Sequence, residues 1–306
     1  MTNPHQPTEN PVPGLDVVAA ERWHRMSPLA SPWLHEEVAR RMVDRLQWFK
    51  SPPASWLHWE PVRGGLQAHQ RLRQVLPEAV CVIQARDAAQ AQQATREPVQ
   101  LSWNPARWRR GGQPATAAPD QRVAMVWANM ALHHVAYPMA LLQQWHRAVD
   151  THGFLMFSCL GPDSLRELRD VFAAEGWPAP AHAFTDMHDW GDMLVACGFA
   201  EPVMDMERIT LSYSSPMAML DELRGLGRNL NAQRFPGLRT PGWRQALCAA
   251  IERRGARADD GRLRLTFEVV YGHAYKPLPR VPVGPNQSVS MDDMRTLLKA
   301  GRQPAR

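Results

Sequence analysis

Apolar residues along the chain follow two periods. Leu34, Val38, Met42 and Leu46 recur at helical spacing, with Glu36, Glu37, Arg40 and Arg41 between them. That pattern predicts a helix within residues 19–50. Ser31 before Pro32 offers a cap and a first turn, and Ser51-Pro52-Pro53 ends the helix. Short apolar runs then alternate with amphipathic stretches. Strands are expected at 54–59, 79–84, 99–103, 122–128 and 154–160, the last preceded by a turn at Gly153, with 104–121 as a loop. Helices are expected at 66–75, 139–149, 164–175 and 189–197. A sixth strand at 203–213 and two helices at 216–226 and 243–254 follow. The last strand, at 262–272, alternates Leu263, Leu265 and Phe267 with polar residues. Strands alternating with helices imply a doubly wound α/β fold around a mainly parallel sheet, with ligands at the carboxyl ends of its strands.

Composition narrows the class. The four cysteines, Cys81, Cys159, Cys197 and Cys248, form no C-x-x-C pair, which argues against a zinc site or a disulfide framework. The segment Met1–Pro13 is polar and Pro-rich and carries no signal-peptide pattern, so a cytoplasmic location is expected. The apolar stretch 123–142 contains His133, His134 and Pro138, and reads as a buried strand running into a helix, not as a membrane span. Residues 1–18 and 279–306 are expected to be disordered tails. Residues 19–215 and 262–278 are expected to form the α/β domain, with 216–261 as a helical insert. The net charge of +5 fits an acidic partner. Nucleic acid is disfavoured, because no helix-turn-helix, RNA-binding or zinc motif accompanies the charge.

Few residues present chemistry on their own. Asn129 falls at the end of the fourth strand, where a ligand site would open. Adjacent His133 and His134 cannot both face one metal from a regular helix. Asp186, His188, Asp189 and Asp192 read as a capped helix start, and no metal is expected. No Ser-His-Asp or Cys-His arrangement is visible.

Several segments carry a resemblance. The run 126–134, from Val126-Trp127-Ala128-Asn129 to His133-His134, is similar to the segment after the fourth strand of class I S-adenosylmethionine (SAM) dependent methyltransferases. Gly153-Phe154-Leu155-Met156-Phe157-Ser158 resembles their fifth strand. Gly161-Pro162-Asp163-Ser164, Asp186-Met187-His188-Asp189-Trp190 and Gly198-Phe199-Ala200-Glu201-Pro202 narrow the resemblance to the malonyl-[acyl-carrier-protein] O-methyltransferases of biotin synthesis, as do Arg22-Trp23 and Leu34-His35-Glu36-Glu37-Val38. The resemblance implies a seven-stranded sheet whose last strand runs antiparallel beside the fifth. It implies SAM as cofactor, held by His58, Gly64, Gly65, Gln84 and Asn129. It places Trp23, His133, Arg224 and Arg228 at the substrate, and acyl carrier protein as an acidic partner on the Arg-rich insert, where Arg253 and Arg254 stand out. No catalytic residue is implied, since proximity and alignment suffice.

The cofactor loop departs from the family pattern. His58 stands where the resemblance expects Asp, Glu60 and Val62 stand where it expects glycines, and Gln84 replaces the acid after the second strand. Three readings stay open: methyl transfer to the free carboxylate of malonyl-acyl carrier protein, a catalytically inactive scaffold or assembly factor of the same fold, and a SAM-dependent methyltransferase with another acceptor.

Overall fold

The computed structural model describes residues 11–26, 28–96 and 114–278. One sheet organises them, in the order β3-β2-β1-β4-β5-β7-β6. Its strands are β1 (Ser55–Trp59), β2 (Val80–Gln84), β3 (Ala115–Thr116), β4 (Val123–Ala128), β5 (Val149–Leu160), β6 (Ala200–Tyr213) and β7 (Leu263–Tyr275). Strands β1 to β5 pair in parallel, and β7 runs antiparallel between β5 and β6. The helices are α1 (Val17–Arg25), α2 (Trp33–Arg45), α3 (Pro61–Gly64), α4 (Leu66–Val75), α5 (Ala88–Ala94), α6 (Pro138–Ala148), α7 (Arg166–Ala174), α8 (Met187–Ala196), α9 (Pro216–Leu226) and α10 (Pro241–Arg254).

The central strands read as unbroken apolar runs because both faces of the sheet are covered. Successive side chains alternate between faces. Trp56, Ile83, Met125 and Trp127 pack on one side under Leu34, Val38 and Met42 of α2 and Leu72 of α4. Leu57, Val82, Val126 and Leu155 pack on the other under Leu142 and Trp145 of α6 and Trp190 and Leu194 of α8. Register ties the second set together, since Leu57 pairs with both Val82 and Val126, and Val126 with Leu155.

Several expectations shift. The expected helical region 19–50 is two helices with a break at 26–32, and a single 3₁₀ turn, Leu46–Trp48, follows the second. Ser31 caps neither end of α2; Pro32 occupies the N-cap position without a side-chain bond. The strand expected at 99–103 lies outside the described residues. The strand pairing with β2 is the two-residue β3, inside the segment expected to be a loop. Gly153 does not sit in a turn before the fifth strand but inside β5, where Cβ would come 2.7 Å from the Ala124 carbonyl oxygen. The expected tail 279–306 is also outside the described residues. In the expected tail 1–18, Leu15 is buried and Val17 opens α1, so that boundary moves toward the N-terminus.

Helix α1 is held against the segment that follows α9. Asp16 caps α1 through the Ala19 N–H and pairs with Arg234 at 2.6 Å. Leu15, Ala20, Trp23, Ala136 and Leu230 form a small core of their own beneath it. No helix among the described residues is long and apolar enough to cross a membrane.

Candidate active site

The site is built where the sheet reverses strand order, between β1 and β4, at their carboxyl ends. Strand β1 ends at Trp59, and Glu60 follows in the left-handed region, with φ 49° and ψ 58°. Pro61 then opens α3 at a position where a missing N–H costs nothing. Gly65, at φ 131°, turns the chain into α4, a conformation side chains rarely take. The first N–H groups of α4 are already satisfied. Ser31 Oγ accepts from Leu66 N at 2.9 Å and donates to the Val62 carbonyl at 2.8 Å. The Glu36 carboxylate accepts from Gln67 N and Ala68 N at 3.1 and 3.2 Å. The serine expected to cap α2 therefore caps α4.

Asn129 locks this turn to the sheet. Its amide donates to the His35 carbonyl at 2.8 Å and to the Gly64 carbonyl, while its Oδ1 accepts from Ser158 Oγ at 2.6 Å. Both amide protons and an oxygen lone pair are thus engaged within the protein.

Two cavities flank the turn. A polar one of about 440 Å³ opens at the ends of β1, β2 and β4 and is lined by Glu60, Arg63, Gln84, Arg86, Asn129 and His134, among others. A larger, mainly apolar one of about 650 Å³ lies under α9 and α10; Leu160, Phe172, Phe184 and Leu223 wall it, and Arg224 and Arg228 stand on its rim. Among the described residues His134 is the one that lines both. Its ring packs tightly under Gly227, where a Cβ would come within 2.8 Å of Nε2.

Histidines crowd the wall between the cavities. The rings of His133 and His134 lie 3.9 Å apart. The ring of His182 bonds the His133 carbonyl at 2.8 Å, and that of His24 bonds the His134 carbonyl at 3.1 Å. Burial holds His133 and His134 well below the usual imidazole value, with the neighbouring histidines adding to the effect. His35, bonded to the Arg63 carbonyl at 2.7 Å, falls to about 4 by burial. Burial likewise depresses His58. These rings are neutral at pH 7.

The residues expected at a cofactor divide. Gln84 and Asn129 line the polar cavity, but the Asn129 amide is spent on the fold. His58, Gly64 and Gly65 do not line it. His58 is buried behind the turn, 3.0 Å from His69 between their Nδ1 atoms, and a Cβ on Gly64 would meet Trp59, Asn129 and His58 at 3.4–3.5 Å. Of the two side chains that stand where the resemblance expects glycines, Val62 turns into the core and Glu60 enters the cavity.

The substrate candidates divide too. Arg224 and Arg228 line the apolar cavity. Trp23 and His133 line neither cavity. Trp23 is a buried platform, with the guanidinium carbon of Arg63 at 4.4 Å from its ring centroid and that of Arg228 at 5.2 Å. Both ring nitrogens of His133 are buried without a hydrogen-bond partner among the described residues. Sequence reasoning missed Arg63 as a wall of the polar cavity, where it donates to the Met26 carbonyl at 2.6 Å. Arg253 and Arg254 point elsewhere: both bond Glu175, at 2.8 and 2.9 Å.

Comparison with known proteins decides the family. The malonyl-[acyl-carrier protein] O-methyltransferase of Gallionella capsiferriformans is 38% identical over 264 residues, covering 82% of this chain and 87% of that protein. The chain belongs to the malonyl-[acyl-carrier protein] O-methyltransferase family. The Laribacter hongkongensis member is 37% identical over 256 residues, covering 81% of this chain and 84% of its own length. The Methylovorus member is 33% identical over 260 residues, covering 82% and 85%. No family model matches the chain. Among solved structures, a SAM dependent methyltransferase from Archaeoglobus fulgidus is 12% identical, covers 79% of this chain and 94% of its own, and has a TM-score of 0.39. The doubly wound class is plain from this chain's own strand order. Of the three residues that depart from the loop the resemblance implies, His58 bonds His69 behind the turn, Val62 packs in the core and Glu60 lines the polar cavity.

Proposed function

We propose that the protein transfers a methyl group from SAM to the free carboxylate of a malonyl group carried on acyl carrier protein, the step its family resemblance assigns to biotin synthesis. One observation carries the reading. A polar chamber at the strand ends and an apolar chamber under 216–261 meet at one side chain, His134. A two-substrate transfer needs donor and acceptor to meet in line at one point, and the two chambers adjoin at His134.

The polar chamber suits the donor. Its volume of about 440 Å³ falls in the ~300–1,000 Å³ range of small-molecule sites. Glu60 and Gln84 offer hydrogen-bond acceptors, and Trp59, Ala85 and Leu141 offer apolar walls for a purine. When bound, SAM supplies a methyl group on a sulfonium, an electrophile that requires only an aligned anion. The acceptor carboxylate is already ionised at pH 7, so no residue has to remove a proton. Arg224 and Arg228 stand where they can orient that carboxylate. Neutral His134 does not repel a cationic donor. Leu160, Phe172, Phe184 and Leu223 exclude water, which would otherwise hydrate and blunt the nucleophile. The segment 216–261 acts as the insert that closes this chamber, latched to α1 by Asp16 and Arg234. The same basic rim receives the acidic carrier protein, and a cytoplasmic location goes with that partner.

A specific observation favours the scaffold reading as the alternative: Ser31 and Glu36 occupy the first N–H groups of α4. Incubation with methyl-labelled SAM and malonyl-acyl carrier protein separates the two. Label in the carrier-bound acyl group supports transfer, and donor binding without label under any acceptor supports the scaffold.

A further inference from the structure

The family's acid after β2 is absent, yet a carboxylate still reaches that place. Glu60 leaves the end of β1 and leans across the end of β2. Its backbone N–H donates to the Gln84 carbonyl at 2.7 Å, and its Oε1 accepts from Arg86 N at 2.8 Å. The carboxylate therefore hangs over residues 84–86, beside the Gln84 side chain, inside the polar chamber.

Two features of Glu60 bear on this. Its backbone lies in the left-handed region, at φ 49°, where glycine would sit without strain, a conformation shared by the exposed Glu201 at φ 51°. The carboxylate is also half-buried, and desolvation raises its pKa against the Arg86 N–H bond and the pull of Arg63 and Arg86. A carboxylate accepts from about four directions, and here a single N–H donor serves it among the described residues. Glu60 lines the polar chamber, so a ligand with hydroxyl groups there can use the remaining positions.

We infer that Glu60 takes over the missing acid's task, its carboxylate accepting both ribose hydroxyls of the adenosyl group from the β1 side of the chamber instead of the β2 side. This rests on the donor reading above. The two oxygens of one carboxylate match a vicinal diol, and Oε1 can keep the Arg86 N–H while it does so. On this assignment the acid has moved from one strand end to its neighbour. Gln84 is then the neutral residue that the new carboxylate requires beside it, since a second acid there would repel it.

The experiment measures ribose preference. S-adenosylhomocysteine and its 2′,3′-dideoxy analogue are titrated calorimetrically into the natural protein, Glu60→Gln, Glu60→Gly, and the double variant Glu60→Gly with Gln84→Glu. The natural protein should prefer the intact ribose by about tenfold or more, as a charge-assisted pair of bonds implies. Glu60→Gln and Glu60→Gly should each lose most of that preference. Glu60→Gly should melt no lower than the natural protein, because glycine relieves the φ 49° strain, so lost affinity cannot be lost folding. The double variant should regain the preference by returning the acid to β2. An undiminished preference in both single variants overturns the inference. Equal loss for both ligands also overturns it, because the carboxylate would then act on the amino acid end. Absence of S-adenosylhomocysteine binding by the natural protein shows itself before any variant is made, and removes the donor reading and the inference together.

Discussion

Lowering the pH from 7 to 5.5 should destabilise the fold through its buried histidines. His35, His58, His133 and His134 are buried, and burial holds all of them below their ordinary value of 6.5. The sign follows from linkage. In the unfolded chain these rings take up protons as the pH falls through 6.5, while in the folded protein they stay neutral, so stability is present above 6.5 and lost below it. Each neutral ring forgoes about 0.2 kcal/mol at pH 7 and about 1.4 kcal/mol at pH 5.5, taking an unfolded pKa of about 6.5. Four such rings remove about 5 kcal/mol across that interval, comparable with the ~5–15 kcal/mol that holds a whole domain together. Urea unfolding followed by tryptophan fluorescence at both pH values measures the loss directly. His133 provides an internal control, because neither of its ring nitrogens has a partner among the described residues. His133→Leu should raise stability at pH 7 and reduce the acid loss by about 1.3 kcal/mol, the share of one ring. Equal urea midpoints at the two pH values would refute the reasoning, and so would an acid loss unchanged in His133→Leu.

Other perturbations probe the turn and the rim. Asn129→Ala breaks three buried hydrogen bonds, to His35, Gly64 and Ser158, so it should cost about 2–4 kcal/mol in urea unfolding. Glu36→Ala uncaps α4 and should cost about 1 kcal/mol, read as a lowered Tm. Reversing Arg224 and Arg228 to Glu should weaken acyl carrier protein binding by about tenfold or more and flatten its salt dependence. The same reversal at Arg253 and Arg254 should weaken it less, since Glu175 already occupies that pair; binding assays in low and high salt compare the two.

The sheet was legible because its central strands are buried on both faces and so appear as continuous apolar runs, as at 80–84 and 123–128. The place of β7 between β5 and β6 came from the resemblance, since alternation at Leu263, Leu265 and Phe267 says only that one strand is there. Strand β3 gave no signal: its two residues, Ala115 and Thr116, are exposed. Gln84, Arg224 and Arg228, which the resemblance pointed to, line the two cavities. The role of Asn129 was hidden because its partners, His35 and Gly64, lie 94 and 65 residues away. Ser31 was misassigned for the same reason: a local cap for α2 is plausible by spacing, but the bond it makes reaches 35 residues ahead to Leu66. Glu60 left a usable signal, a carboxylate where the family expects glycine two dozen residues before a missing acid, and only the fold shows that the two positions adjoin.

Methyl transfer itself is the most direct measurement. Purified protein, methyl-labelled SAM and malonyl-acyl carrier protein are incubated together, with acetyl-acyl carrier protein, which lacks the free carboxylate, as the control. Label should enter the malonyl carrier as a base-labile ester and leave the acetyl carrier untouched. Equal absence of label from both carriers, with SAM bound to the protein, would contradict the assignment as an enzyme and leave a donor-binding scaffold in its place.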